Sequence, residues 1–427
     1  MYLNCRLVRG TAAFVFAALL SFSAQAQTPK NIFTFTGPPK TGPVSALAMD
    51  SSGALYGTTK YGGNSALGQV YKLSASTGGV WTQTLLYVFT GTSGDGAVPL
   101  GGVTVGTGSV IYGTTLAGGA NNCGTIFELQ PPKSGGGWTE SILYSFTCGS
   151  DGGQPRGGVI IGNGGVLYGT ASSNGASVCG DVFSLKPPQS GSSTWTYTVL
   201  YSFTGTNGDG CTPFAGLTLG KSEILYGATQ FGGSSGNGAV FQLSTPSAGR
   251  GWTESVLYSF AGGPNDGANP NSTLALNSSG DLFGTTRNGG ASGSGTAFEL
   301  IPASGSGGGW TEAVMHSFGS GTDGSYPVGV ALGSGKFVYG VTTDTGSSTQ
   351  CAVNGCGTVF ELKPPSGSGG TWTEVVLHNF NTQNGDGAYP QGNIVINSTG
   401  LIYGTTFQGG GSTACAEGCG MAFELTP

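Results

Sequence analysis

Apolar and polar residues alternate along this chain in short runs broken by glycine. In Gly124-Thr125-Ile126-Phe127-Glu128-Leu129 every second residue points to the same side of an extended backbone, so one face is buried and the other wet. Three further β-like pieces flank it: Gly102-Val103-Thr104-Val105, Val110 to Thr115, and Trp138 to Phe146. Gly118-Gly119 separates the second piece from the third, and a Pro/Gly-rich loop separates the third from the fourth. The order predicts an antiparallel meander of four strands, a to d. Strand a is small and β-branched, which suits a crowded inner edge.

The unit repeats. Leu55-Tyr56-Gly57-Thr58-Thr59 has counterparts around Tyr112, Tyr168, Tyr226, Phe283, Tyr339 and Tyr403. From Tyr56 to Tyr403 is 347 residues in six steps, about 58 per unit. Solenoid repeats mostly run about 20 to 47 residues and kelch-type propeller blades about 50, so a long blade fits better. The six tryptophans (Trp81, Trp138, Trp195, Trp252, Trp310 and Trp372) each begin a d strand and are expected to pack between blades. The ends are complementary. Ile32-Phe33-Thr34-Phe35 reads as the end of a d strand with nothing before it, and Met421-Ala422-Phe423-Glu424-Leu425 as a c strand with no d after it. A solenoid needs polar caps at its ends, whereas a ring needs this split. The expected fold is all-β: a seven-bladed β-propeller of four-stranded antiparallel blades, the last blade completed by the N-terminal strand.

The repeated Tyr-Gly-Thr-Thr, Gly-Gly, Gly-Thr-Val-Phe-Glu-Leu (Gly357 to Leu362) and Leu-Tyr-Ser-Phe blocks resemble the GloVer-type tandem-repeat family. That resemblance covers essentially the whole mature chain and implies a bacterial surface or secreted protein. The family is described as choice-of-anchor because its C-terminal sorting tails vary, and it brings no catalytic motif to carry over. This sequence stops at Pro427, two residues after the last c strand, with no such tail. Release into the periplasm or medium is therefore expected.

Composition supports an exported, folded chain. Glycine reaches 84 residues and charged residues only 8%, yet 37% are hydrophobic and 10% aromatic, which separates the chain from disordered sequences. Arg6 and Arg9, the apolar stretch Thr11 to Phe22, and Ala24-Gln25-Ala26 read as a signal peptide spanning residues 1–26, with residues 27–427 as one propeller domain. No later apolar run approaches the length of a membrane span. Net charge is −6 with only 14 Lys and Arg, which sets nucleic acid aside. Of nine cysteines, Cys5 leaves with the signal peptide, and the remaining eight suit disulfides. The expected pairs are Cys351 with Cys356, Cys415 with Cys419, Cys123 with Cys148 and, by analogy, Cys179 with Cys211. Free thiols are the alternative; irregular spacing and the presence of only His316 and His378 argue against zinc.

Six blade junctions carry an Asp-Gly followed shortly by proline: Asp95, Asp151, Asp209, Asp266, Asp323 and Asp386. Such an aspartate holds a turn by accepting backbone N–H bonds. Calcium is the lesser alternative, because each junction offers one carboxylate. No other cofactor is expected. His316 and His378 occupy the slot held elsewhere by Tyr87, Tyr144, Tyr201 and Tyr258, so aromatic packing with a polar tip is expected of them. Glu140, Glu254, Glu312 and Glu374 on d strands, and Glu128, Glu299, Glu361 and Glu424 on c strands, read as solvated faces. Nothing singles out the converging acids of a glycosidase.

Positions that vary between units on one face are where recognition would be written. After the junction prolines come Val44, Leu100, Arg156, Phe214, Asn271, Val328 and Gln391; before two of them stand Tyr326 and Tyr389. The b-to-c loops add Tyr61, Phe231, Arg287 and Phe407. Aromatic rings beside amides and arginine suit a sugar, or equally a peptide. Arg156, Phe214, Asn271, Tyr326, Tyr389 and Gln391 are thus the candidate ligand residues; neutral drift in exposed loops is the alternative. The leading expectation is a monomeric, non-enzymatic extracellular module that binds glycan or protein. A polysaccharide hydrolase or lyase with a site at the funnel, and a structural envelope protein, are the alternatives.

Overall fold

The computed structural model describes residues 28–427 except 38–41, 134, 247–250, 304–308, 347–350, 352–354 and 368–369. The signal-peptide segment lies outside the described residues. The repeat pattern becomes seven antiparallel sheets of four or five strands around one axis, with two short two-stranded ladders beside them. In the second blade the strands are Val103–Val105, Ile111–Thr115, Thr125–Gln130 and Thr139–Ser145, paired in sequence order. These match the four predicted pieces within a residue or two.

The ring is closed by its two ends. Lys30–Thr34 runs antiparallel to Met421–Leu425, with Lys30 opposite Glu424 and Thr34 opposite Met421. The Phe35 N–H continues the ladder to the Gly420 carbonyl at 3.1 Å. This strand supplies the missing d strand of blade seven and leaves no unpaired seam.

Each part of the repeated motif has a place in the blade interfaces. The c-strand aromatic meets the last d-strand phenylalanine of the preceding blade, as in Phe89–Phe127 at 5.2 Å and Phe203–Phe241 at 4.9 Å. The same contact closes the ring as Phe35–Tyr71 at 5.0 Å. Edge-on ring pairs of this kind add to the area they bury. The glycine of Tyr-Gly-Thr-Thr makes room for that ring: a Cβ on Gly113 would lie 2.5 Å from Phe127 Cζ. Its first threonine ties the blade to the next junction, Thr58 Oγ1 donating to the Pro99 carbonyl at 2.9 Å and Thr114 to that of Gly157 at 2.8 Å. Its aromatic receives the tryptophan of the following blade, as Tyr112 receives Trp195 and Tyr403 receives Trp81. The tryptophans are inter-blade packing, as the repeat implied.

All four expected cysteine pairs form: Cys123–Cys148, Cys179–Cys211, Cys351–Cys356 and Cys415–Cys419, with Cα separations of 4.6 to 5.5 Å. Among the described residues, no helix is long and apolar enough to cross a membrane.

Candidate functional site

The junctions build the site. The residue before each junction proline is left-handed: φ is 59° at Val98, 51° at Gln154, 60° at Thr212, 58° at Asn269, and 55° at Tyr326 and Tyr389. Gly42 takes the same region at the first junction. A side chain there is strained, so something must hold it. The hold is a backbone bond at six junctions, from Val98 N–H to the Leu67 carbonyl at 2.7 Å through to Tyr389 N–H to Cys356 at 2.9 Å. Beyond the proline the chain starts strand a at the axis. There the strands crowd so closely that a Cβ on Gly101 would strike the backbone of Gly157.

The junction aspartates hold turns. Each accepts a backbone N–H from the chain four or five residues earlier, at 2.6 to 3.2 Å. Their carboxylates also take the d-strand polar tips: the Tyr144 hydroxyl on Asp151 at 2.8 Å, Tyr258 on Asp266 at 3.1 Å, and the His316 and His378 rings on Asp323 and Asp386 at 2.9 and 3.0 Å. Both histidines therefore do the tyrosine's job, edge-on to Phe318 and Phe380. Among the described residues, no group of three or more His, Cys, Asp or Glu side chains is placed to hold a metal ion.

The glutamates differ from expectation. Glu128 and Glu361 are buried, and Glu361 accepts the Tyr339 hydroxyl at 2.9 Å. Glu140, Glu254, Glu312 and Glu374 are half-buried, each with an Oε1 that has no hydrogen-bond partner. Burial pushes their carboxyls up to about 7. The junction aspartate beside each adds to the effect, and His316 opposes it at Glu374. The sequence pattern showed alternation but not that an adjacent blade covers the wet face.

At the axis a depression of about 420 Å³ gathers residues from all seven blades. Val44, Leu100, Arg156, Phe214, Asn271, Val328 and Gln391, the seven residues after the junction prolines, all line it. Four of the six candidate ligand residues thus meet there. The other two do not line it. Tyr326 lies under the Arg287 guanidinium at 4.9 Å, and Arg287 does line the funnel. Tyr389 lines a different hollow with Cys351, Gln408 and Glu417. Lys60, Arg287 and Thr343 reach the funnel from one register position, the residue after the second threonine of the b-strand motif. Of these three, the sequence singles out only Arg287, among the varied b-to-c positions. Asn393 also lines the funnel, donating to the Val330 carbonyl at 3.1 Å. No Asp or Glu is among the described residues lining it, although Asp344 follows Thr343 at its edge.

The description Gloeobacter/Verrucomicrobia repeat matches residues 17–241, 193–313 and 224–427, which together take in almost the entire chain. The chain belongs to the Gloeobacter/Verrucomicrobia repeat family. This is the tandem-repeat family that its motifs resemble. No curated protein matches this repeat chain. Among solved structures it is similar to virginiamycin B lyase from Staphylococcus aureus, with a TM-score of 0.53 at 12% identity, covering 94% of this chain and 99% of that one. The lyase with quinupristin gives the same TM-score at 14% identity, covering 94% and 100%. The extracellular domain of a hybrid two-component system from B. thetaiotaomicron gives 0.50 at 9% identity, covering 93% of this chain and 39% of that one. At these identities the likeness concerns the fold. Within the Gloeobacter/Verrucomicrobia repeat chain itself, neither histidine lines the funnel.

Proposed function

We propose that this repeat protein is an exported, non-enzymatic binding module that takes a saccharide in its axial funnel. The convergence of all seven variable post-proline residues on one concavity carries this reading. Phe214 offers an apolar ring, while Asn271, Gln391 and Asn393 offer amides suited to sugar hydroxyls. The Asn271 side-chain oxygen is buried in the funnel wall and accepts no hydrogen bond within the protein. The four disulfides suit an oxidising compartment, where extracellular glycans are met. Hydrolysis would call for two acids converging on one bond. The funnel residues offer none, and the histidines are engaged at the outer edge.

A glycan-array screen of the full chain tests the reading, with every hit assayed for cleavage. Specific retention of a saccharide without turnover, weakened about tenfold by Asn271→Ala or Phe214→Ala, is the expected result. Turnover of a bound glycan would make the protein an enzyme and overturn the non-catalytic part. Retention that both substitutions leave unchanged would move the site away from the funnel.

A further inference from the structure

The few cations of this acidic chain are unevenly placed. Among the described residues there are two arginines, Arg156 and Arg287, and both line the funnel together with Lys60. They come from the first, third and fifth blades, so positive charge reaches the axis from several sides. Each lies over an aromatic ring: Lys60 over Tyr61 at 5.0 Å, Arg156 over Phe214 at 4.8 Å and Arg287 over Tyr326 at 4.9 Å. A ring positions a cation without neutralising it, and a stacked guanidinium keeps its in-plane N–H donors available.

Three lysines outside the funnel are paired with acids. Lys30, Lys72 and Lys363 stand within 3.4 to 3.7 Å of Glu424, Asp50 and Glu361. None of the three funnel cations has a carboxylate at ion-pair distance among the described residues, although Asp344 interacts with Arg287 at longer range. Lys60 and Arg156, with no carboxylate at ion-pair distance, and Arg287, with only the more distant Asp344, concentrate positive potential in the wall of a protein whose net charge is −6. Desolvating those charges is unfavourable unless the ligand brings a compensating one.

We infer that the funnel's ligand is an anionic saccharide, a glycan bearing uronate carboxylates, with Arg156 and Arg287 as its charge-recognising residues. This rests on the reading of the funnel as a saccharide site. The guanidinium forks match a planar carboxylate in bidentate fashion, while Asn271, Gln391 and Asn393 take the hydroxyls of the same sugar. Sulfate esters offer related charge on a tetrahedral group, which the forks can also receive.

Calorimetric titration of the full chain with an oligogalacturonate, its neutral oligogalactan counterpart and a sulfated oligosaccharide separates these possibilities. The expected result is that the uronate binds at least about tenfold more tightly than the neutral sugar, with affinity falling as salt rises. Arg156→Gln with Arg287→Gln, checked for an unchanged melting profile, should erase that preference while leaving weak neutral binding. Should the paired substitution unfold the chain, the charged-against-neutral comparison on the unaltered protein decides alone. Equal affinity for charged and neutral sugars overturns the anionic assignment but leaves the saccharide reading standing. Binding of none of the three overturns both. Preference for the sulfated sugar over the uronate replaces the carboxylate with a sulfate and contradicts the uronate assignment.

Discussion

Asp181 opens the third strand of its blade, where three other blades have Thr125, Thr296 and Thr358. Those threonines pair with a threonine on the neighbouring b strand, at 2.8 Å in each case. Opposite Asp181 stands Ala171, which offers no hydroxyl, and the carboxylate is fully buried. Burial pushes this carboxyl up to about 6, with Asp151 adding to the rise and the Ser202 hydroxyl opposing it. A raised acid favours the folded state fully only below its unfolded value, and that contribution is lost as pH climbs through about 6. Asp181→Asn, which keeps the shape and cannot ionise, should stabilise the protein by roughly 1–2 kcal/mol at pH 8, a figure discounted for screening, and change little at pH 4. Melting curves at the two pH values check it; equal effects at both would contradict the account.

The four half-buried glutamates act at the scale of the strand, because each sits at the same d-strand position against the junction of the preceding blade. Tyr197 holds that position in the third blade, where its hydroxyl donates to the Asp151 carbonyl at 2.7 Å. A glutamate there must lose water when the blades dock. Replacing Glu140, Glu254, Glu312 and Glu374 together by glutamine should leave the melting temperature unchanged near pH 4, below the unfolded range. It should raise it progressively between about 4.5 and about 7, where the unfolded carboxyls ionise and the folded ones do not, and by a constant amount above that. Parallel pH profiles for the two proteins would contradict this. These carboxylates also mark what the sequence hides. Strand order, the paired cysteines and the threonine-rich motif follow from local alternation and spacing, which a linear sequence displays. Burial of Glu140 by a neighbouring blade, and the left-handed turn at Val98, depend on how blades meet. Alternation within one strand carries no trace of either.

At the scale of the molecule, closure converts a linear repeat into a site. Because the strand Lys30–Thr34 completes the last blade, seven junctions point to one axis, and residues about 58 positions apart in sequence share one concavity. Four of the six ligand residues proposed from sequence meet there, since the proline offset is the same in every unit. Tyr326 and Tyr389 fall one position on the other side of the proline, in the left-handed turn, which directs them away from the funnel wall. Arg287 stands among the varied b-to-c positions in the sequence, whereas Lys60, at the same register position, is not singled out, and the assembled ring places both at the axis. Phe–Phe pairs at 4.9 to 5.2 Å tie adjacent blades together, an arrangement that would preorganise the proposed funnel site. The most direct test is a crystal structure of the full chain with a bound uronate oligosaccharide. The expected result is a sugar ring against Phe214, its hydroxyls on Asn271 and Gln391, and its carboxylate on Arg156 or Arg287. A saccharide seated on any other surface, with the funnel filled only by solvent, would contradict it.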